Sequence, residues 1–259
     1  MADGTESEAE RAHYQGAAGD ARKAEVNLKE AVHGFWACSE TDRVALDTLN
    51  RASVPGYAVP NGIATEVLPY DGRLDKRADG KLLFCASLNY EPNRRGLEWF
   101  RERVWPLILH DEPAVRLVVI GYGAKDGDFP ELRADPSVDF VGEVDNVVPW
   151  YHRTSLAVVP ILEGSGTRVK ILEAMALGSP VVSTTIGAEG IEARDGETIL
   201  LRDRPEVFAA AACELLRDGD LYARLQTGGR ALVDAVYDWR VVGGQLNRTV
   251  DHILRTVKV

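Results

Sequence analysis

Cysteine is scarce in this sequence. Its 259 residues include three, Cys38, Cys85 and Cys213, spaced far apart, so one must stay unpaired and no CxxC pair offers metal ligands. A disulfide framework is not expected, and a reduced, cytoplasmic setting is. Long hydrophobic runs are also missing. None approaches the ~20 residues that a membrane span needs, and the polar opening MADGTESEAE lacks the charged-then-apolar order of a signal peptide. A soluble protein is expected, with contact at a membrane periphery left open. Basic charge is in deficit, with 30 Lys and Arg against 40 Asp and Glu and a formal net charge of -10. Nucleic acid and anionic membrane surfaces select for basic patches, so no nucleic-acid partner is expected.

Familiar cofactor signatures are absent too. GYGAKD (121–126) lacks the third glycine of a dinucleotide fingerprint, which argues against NAD. His13, His33, His110, His152 and His252 form no ligand spacing. The two DGD triplets, 126–128 and 218–220, fall where turns are expected, and Asp and Gly are ordinary turn residues. Neither a metal nor a cofactor is expected.

What is present is an alternation of short apolar runs and amphipathic stretches, the rhythm of a parallel α/β sheet. LLFCASL (82–88), VRLVVIGYG (115–123), VDFVG (138–142), SLAVVPIL (155–162) and PVVST (180–184) read as buried strands. NRRGLEWFRERVWPLIL carries Leu97, Phe100, Val104 and Leu107 at helical spacing, which predicts one helix with one buried face. RPEVFAAAACELLRDGD has Pro205 near its start and Gly219 at its end, the order of helix caps. A Rossmann-like layer over 81–184 is expected, with helices on both faces.

The first eighty residues differ. KAEVNLKEAV reads as helix, HGFWACS as strand, and Ser39 with Asp42 suits a capped start to the helix ETDRVALDTLN. That is too little for a separate core. The division expected is 1–69, the remnant of a second domain with its linker, and 70–259, the main α/β domain; YDGRLDKRADGK (70–81) reads as the connecting segment.

The most informative stretch is EGSGTRVKILEAMALGSPVV (163–182). Between a strand and a helix, EGSG is the loop at the strand's carboxyl end, where open α/β sheets bind ligands. Gly164 and Gly166 let a ligand approach backbone N–H groups, Ser165 or Thr167 can cap the helix, and the helix N-terminus attracts anions. Arg168 and Lys170 oppose the helix dipole at a cost of roughly 0.3 to 1 kcal/mol each; a bound diphosphate reverses that sign. Glu173, one turn on, leans back over the same pocket and is acceptor-only, which suits ribose hydroxyls. The competing reading is a solvated face on which both cations pair with Glu163 and Glu173. Residue physics leaves the two open.

The run PILEGSGTRVKILEAMALGSPVVSTTIGAEGI resembles the nucleotide-sugar site of retaining GT-B glycosyltransferases of family 4, the glycosyl transferases group 1. WACSETD, VPNGI, SLNYEPN, VIGYG and FVGEV follow in the family's order, and the resemblance runs from about residue 24 to the end, including Trp239. It implies the donor-binding, C-terminal half of a GT-B fold plus the last units of a truncated acceptor domain. It further implies retaining transfer of a sugar from a nucleoside diphosphate, UDP or GDP, to an unknown acceptor. By the resemblance, Glu173 binds the nucleotide ribose and Gly164, Ser165, Gly166 and Thr167 cradle the donor phosphates. Glu163 is carried over as the donor-sugar contact and catalytic candidate, with nine residues between it and Glu173, two more than the family's spacing. Relatives place an Arg and a Lys after the first strand of this domain; here Ser87 and Pro92 stand near those positions, and Arg168 and Lys170 are expected to supply that charge. Asn89, Tyr90 and Asn93 are candidate donor contacts, and VGEV (141–144) is expected near the base. Two other classes stay open. One is a sugar-nucleotide epimerase of similar fold, separable by product analysis without acceptor. The other is a noncatalytic binding or interaction module needing a partner chain or self-association to cover an exposed face, separable by light scattering.

Overall fold

A computed structural model of the protein describes residues 32–125, 127–164 and 166–256. The helix expected over 23–32, apart from its last residue, His13, Ser165 and Asp126 of the first DGD triplet lie outside the described residues. The chain divides into two compact units, Met1–Pro60 with Gly244–Val259 and Asn61–Gly243, where the sequence alone suggests a division at 69/70. Among the described residues, no helix is long and apolar enough to cross a membrane.

In the smaller unit, β1 (Phe35–Ala37) and β2 (Gly56–Ala58) pair in parallel, Phe35 opposite Gly56. Helix α1 (Glu40–Leu49) connects them. Ser39 caps it as the sequence predicts: its Oγ accepts from the Asp42 N–H at 3.1 Å and donates to Asp42 Oδ2 at 2.7 Å.

In the larger unit six parallel strands form one sheet in the order β5-β4-β3-β6-β7-β8. They are β3 (Lys81–Ser87), β4 (Arg116–Tyr122), β5 (Val138–Gly142), β6 (Leu156–Val159), β7 (Val181–Ser183) and β8 (Leu200–Leu201). Side chains alternate between faces along each strand. Leu82, Phe84, Leu117, Val119, Leu156 and Val158 therefore enter one core, and Leu83, Val118, Ile120, Ala157 and Val159 the other. Both faces are covered, which is why these strands read as continuous apolar runs. On the first face lie α2 (Glu91–Trp99), α3 (Trp105–Asp111), the short α4 (Pro130–Ala134), α7 (Pro205–Arg217) and the start of α8 (Gly219–Leu232). On the second lie α5 (Val148–Arg153) and α6 (Val169–Ala176). Helix α9 (Trp239–Thr256) begins in this unit and ends in the smaller one.

Two helices differ from expectation. A π-helical turn over Phe100–Val104 separates α2 from α3, because Pro106 has no N–H to continue the α-helical ladder. The wider turn carries the buried face on to Trp105 and Ile108 and leaves Leu107 exposed. Gly219 opens a helix where the sequence suggests a stop: Asp218 ends α7, and its side chain accepts from the N–H groups of Asp220 and Leu221, both at 2.9 Å, to start α8.

Strand order reverses at β3, which has β4 on one side and β6 on the other. The carboxyl ends of β3 and β6 flank the crevice where ligands of doubly wound sheets bind.

Candidate active site

Two strand-to-helix connections meet at that crevice, Leu88–Tyr90 between β3 and α2 and Pro160–Arg168 between β6 and α6. The second is shaped by Gly164 and Gly166, at φ 103° and 87°, conformations that side chains resist. A Cβ on Gly164 would lie 3.1 Å from Arg168 Nη2 and 3.2 Å from Tyr90 Oη. Only glycine lets the loop pass so close beneath those groups. Arg168 itself occupies the cap position of α6, and among the described residues no side chain caps the helix; Thr167, one of the two caps the sequence suggests, does not do so. Helix α6 starts too late for Thr167, whose carbonyl instead accepts the Val169 N–H at 3.1 Å and whose hydroxyl is buried. The buried guanidinium of Arg168 folds back on the loop, Nη1 donating to Gly166 O at 2.7 Å.

Helix α6 turns Ile171, Leu172, Ala174, Met175 and Ala176 into the core. The remaining face holds Lys170 and Glu173, neighbours at three-residue spacing. Lys170 Nζ donates to Asn93 Oδ1 at 2.7 Å, and Asn93 Nδ2 donates to Ser87 O at 2.8 Å. The ammonium is thus held over the end of β3 by a neutral amide. Burial pushes Lys170 down to about 8, Arg168 adding to the effect while Cys85 and Glu173 oppose it. Burial raises the Glu173 carboxyl, and Lys170 partly counters that. Both charges are short of water, as expected of groups kept for a ligand of complementary charge.

A cavity of about 270 Å³ opens beside this pair. It is lined by Cys85, Ala86 and Ser87 of β3, Ile120 and Tyr122 of β4, Glu143, Val144 and Val147 after β5, and Lys170 and Glu173 of α6. Among the described residues of this lining, Lys170 is the one cation, Glu143 and Glu173 are the two carboxylates, and most of the rest is apolar. Burial pushes the Cys85 thiol up to about 11, so it serves as a neutral, weakly polar wall.

The structure brings some of the expected site residues together and leaves others apart. Lys170, Glu173 and the Glu143–Val144 part of VGEV line the cavity; Asn93 is bonded to Lys170; Gly164, Arg168 and Tyr90 converge on one another at the loop before α6. Asn89 lies elsewhere, in a second cavity of about 270 Å³ with Leu88, Arg94, Gly123, Lys125 and Asp128, and accepts the Ser87 hydroxyl at 2.6 Å. Glu163 is half-exposed and pairs with Arg95 Nη1 at 2.8 Å. Sequence reasoning missed Arg95, Tyr122 and Cys85. Tyr122 and Cys85 had one signal, their place at the carboxyl ends of the central strands.

A family model described as Glycosyl transferases group 1 matches residues 79–218, which takes in both strand ends and the whole of α6. The chain is 29% identical over 208 residues to a phosphatidyl-myo-inositol mannosyltransferase of Mycobacterium tuberculosis, covering 75% of this chain and 53% of that one. It spans about half the length or less of the curated relatives it matches. Among solved structures it is similar to a sucrose-phosphate synthase from Thermosynechococcus elongatus, with TM-score 0.71 and 20% identity over 92% of this chain and 63% of that one. It is also similar to HepE of Anabaena in complex with UDP, with TM-score 0.69 and 16% identity over 89% of this chain and 67% of that one. At these identities the structural likeness shows the fold, an α/β Rossmann-like GT-B arrangement.

Proposed function

Since the chain belongs to the glycosyl transferases group 1 family, we propose that it supplies the donor-binding part of a retaining, family 4-type glycosyltransferase. The substrate is a nucleoside-diphosphate sugar. The sugar's C1–O bond to the diphosphate breaks, and a bond from C1 to an acceptor oxygen forms with the anomeric configuration kept. The observation that carries this reading is the joint placement of Lys170 and Glu173 at the strand-order switch, one a buried cation and the other a buried acceptor, three residues apart on α6. Lys170, Arg168 and the glycine loop take the diphosphate. They hold the negative charge that grows on it as the sugar departs, in a partly dry cleft where such charges act strongly. Glu173 takes the ribose hydroxyls. Glu163, steadied by Arg95, faces the donor sugar. The UDP named for the Anabaena relative supports a nucleoside diphosphate as the ligand class.

Titration calorimetry of the full chain with UDP and with GDP tests this. At least one nucleotide should bind, and Glu173→Ala and the Arg168→Ala/Lys170→Ala pair should each weaken it about ten-fold or more, the usual loss for a hydrogen bond to a charged group. A folded chain that binds neither nucleotide, or binds with unchanged affinity in both variants, refutes the donor site.

A further inference from the structure

The cavity lining comes from α6 on one side of β3 and from the loop after β5, two strands away on the other. Lys170 stands on the α6 side, with Glu173 beside it. The far wall is built from Ile120, Tyr122, Glu143, Val144 and Val147. A diphosphate belongs beside Lys170, the one cation among the described lining residues, so the base of a nucleotide lies toward the loop after β5. There it meets the apolar wall. Tyr122, 57% exposed at the end of β4, offers a ring face on which a flat base stacks. Of the polar side chains on the loop after β5, Glu143 lines the cavity, whereas Asn146 is engaged in starting α5, its Oδ1 accepting from the Val148 N–H at 2.9 Å. Among the described residues Glu143 has no hydrogen-bond or ion-pair partner.

An ionised carboxylate only accepts hydrogen bonds. Two oxygens side by side match a base edge with two adjacent donors. Guanine presents one, its N1–H beside its 2-amino group, and both can donate to a single carboxylate as charge-assisted bonds. Uracil presents one N–H between two carbonyl oxygens, each of which meets the carboxylate as acceptor against acceptor. Adenine presents one donor beside an acceptor nitrogen. We infer that Glu143 reads the base and selects guanine, making the donor a guanosine-diphosphate sugar. This rests on the donor-site reading above and adds the base to it. It also makes Glu143 a specificity-determining residue.

The experiment is titration of the full chain with GDP, UDP and ADP, on the native sequence and on Glu143→Gln, with circular dichroism to check that both fold. The exposed loop position makes that substitution mild. Native chain should bind GDP at least about ten-fold more tightly than UDP or ADP, since an unmatched polar group in a binding site is costly. Glutamine sets a donor beside an acceptor, the complement of uracil's adjacent N3–H and O4. Glu143→Gln should therefore bring GDP and UDP within about three-fold or reverse them. UDP or ADP binding as well as GDP in the native chain overturns the inference while leaving the donor site intact. A GDP preference that survives Glu143→Gln overturns the role of Glu143. Failure of all three nucleotides to bind a folded native chain overturns the donor site itself, and this inference with it.

Discussion

Lys170 is unusual among the side chains of the site because its protonation lies close to neutrality. Its ammonium is bonded to the neutral Asn93 amide, and burial pushes it down to about 8. A diphosphate binds the charged form, so bound ligand holds the proton on Lys170 more firmly than the free chain does. As pH rises through about 8 the free chain loses that proton first, and affinity falls by up to about ten-fold per pH unit until the bound form also titrates. Titration calorimetry between pH 7 and 9.5 should show this decline, and Lys170→Arg, charged throughout, should flatten it. A flat profile in the native chain would remove Lys170 from the phosphate site. The pairing of Lys170 with Glu173 is visible in the sequence because it is local to one helix. The acceptor for Lys170 is not, since Asn93 is 77 positions away and reaches it only after β3 and β6 have been set side by side.

At the scale of elements, α2 and the chain leaving β6 are in direct contact. Gly96 of α2 is buried, and a Cβ there would lie 2.5 Å from the carbonyl oxygen of Pro160 and 3.2 Å from its carbon. In an isolated helix Gly→Ala is favourable by about 1 kcal/mol. Here the obstacle is backbone, which cannot swing away, and overpacking of this kind typically costs about 1 to 3 kcal/mol. Gly96→Ala should therefore lower the midpoint of urea unfolding, and an unchanged or raised midpoint would show that the helix has room to move. Strands β3, β4 and β5 were legible to within about a residue because a sheet covered on both faces makes strands of unbroken apolar residues. β6 is shorter than its apolar run: Pro160 has no N–H for the ladder, and Ile161 and Leu162 belong to the loop. β8, two residues long, carries too little pattern to be seen. The late start of α6 at Val169, after the cap residue Arg168, and the double duty of Asp218 were hidden for another reason: capping depends on backbone angles that several residue types can adopt. The loop glycines Gly164 and Gly166 were readable, since their positive φ leaves few alternatives to glycine.

For the whole molecule, transfer is a property of a longer protein in the relatives, of which this chain spans about half or less, whereas the candidate donor site is local. Every residue of its cavity, from Cys85 to Glu173, belongs to the unit Asn61–Gly243. The two ends of that unit are also pinned to each other. Ile63 donates its N–H to Tyr237 O at 2.7 Å and accepts from the Trp239 N–H at 3.1 Å. The buried Asp238 carboxylate accepts from the Thr65 hydroxyl and from Arg240 at 2.7 and 2.8 Å, and Arg240 followed by Thr65 holds it well below the usual carboxylate range. A fragment cut at 61 and 243 keeps all of these contacts. It should unfold cooperatively and bind nucleotide within about two-fold of the full chain, the tolerance expected when the described residues that are removed share no partners with the site. The comparison is one calorimetric titration on each protein with the nucleotide that binds the full chain. A folded fragment with much weaker binding would mean that residues outside 61–243 complete the donor site.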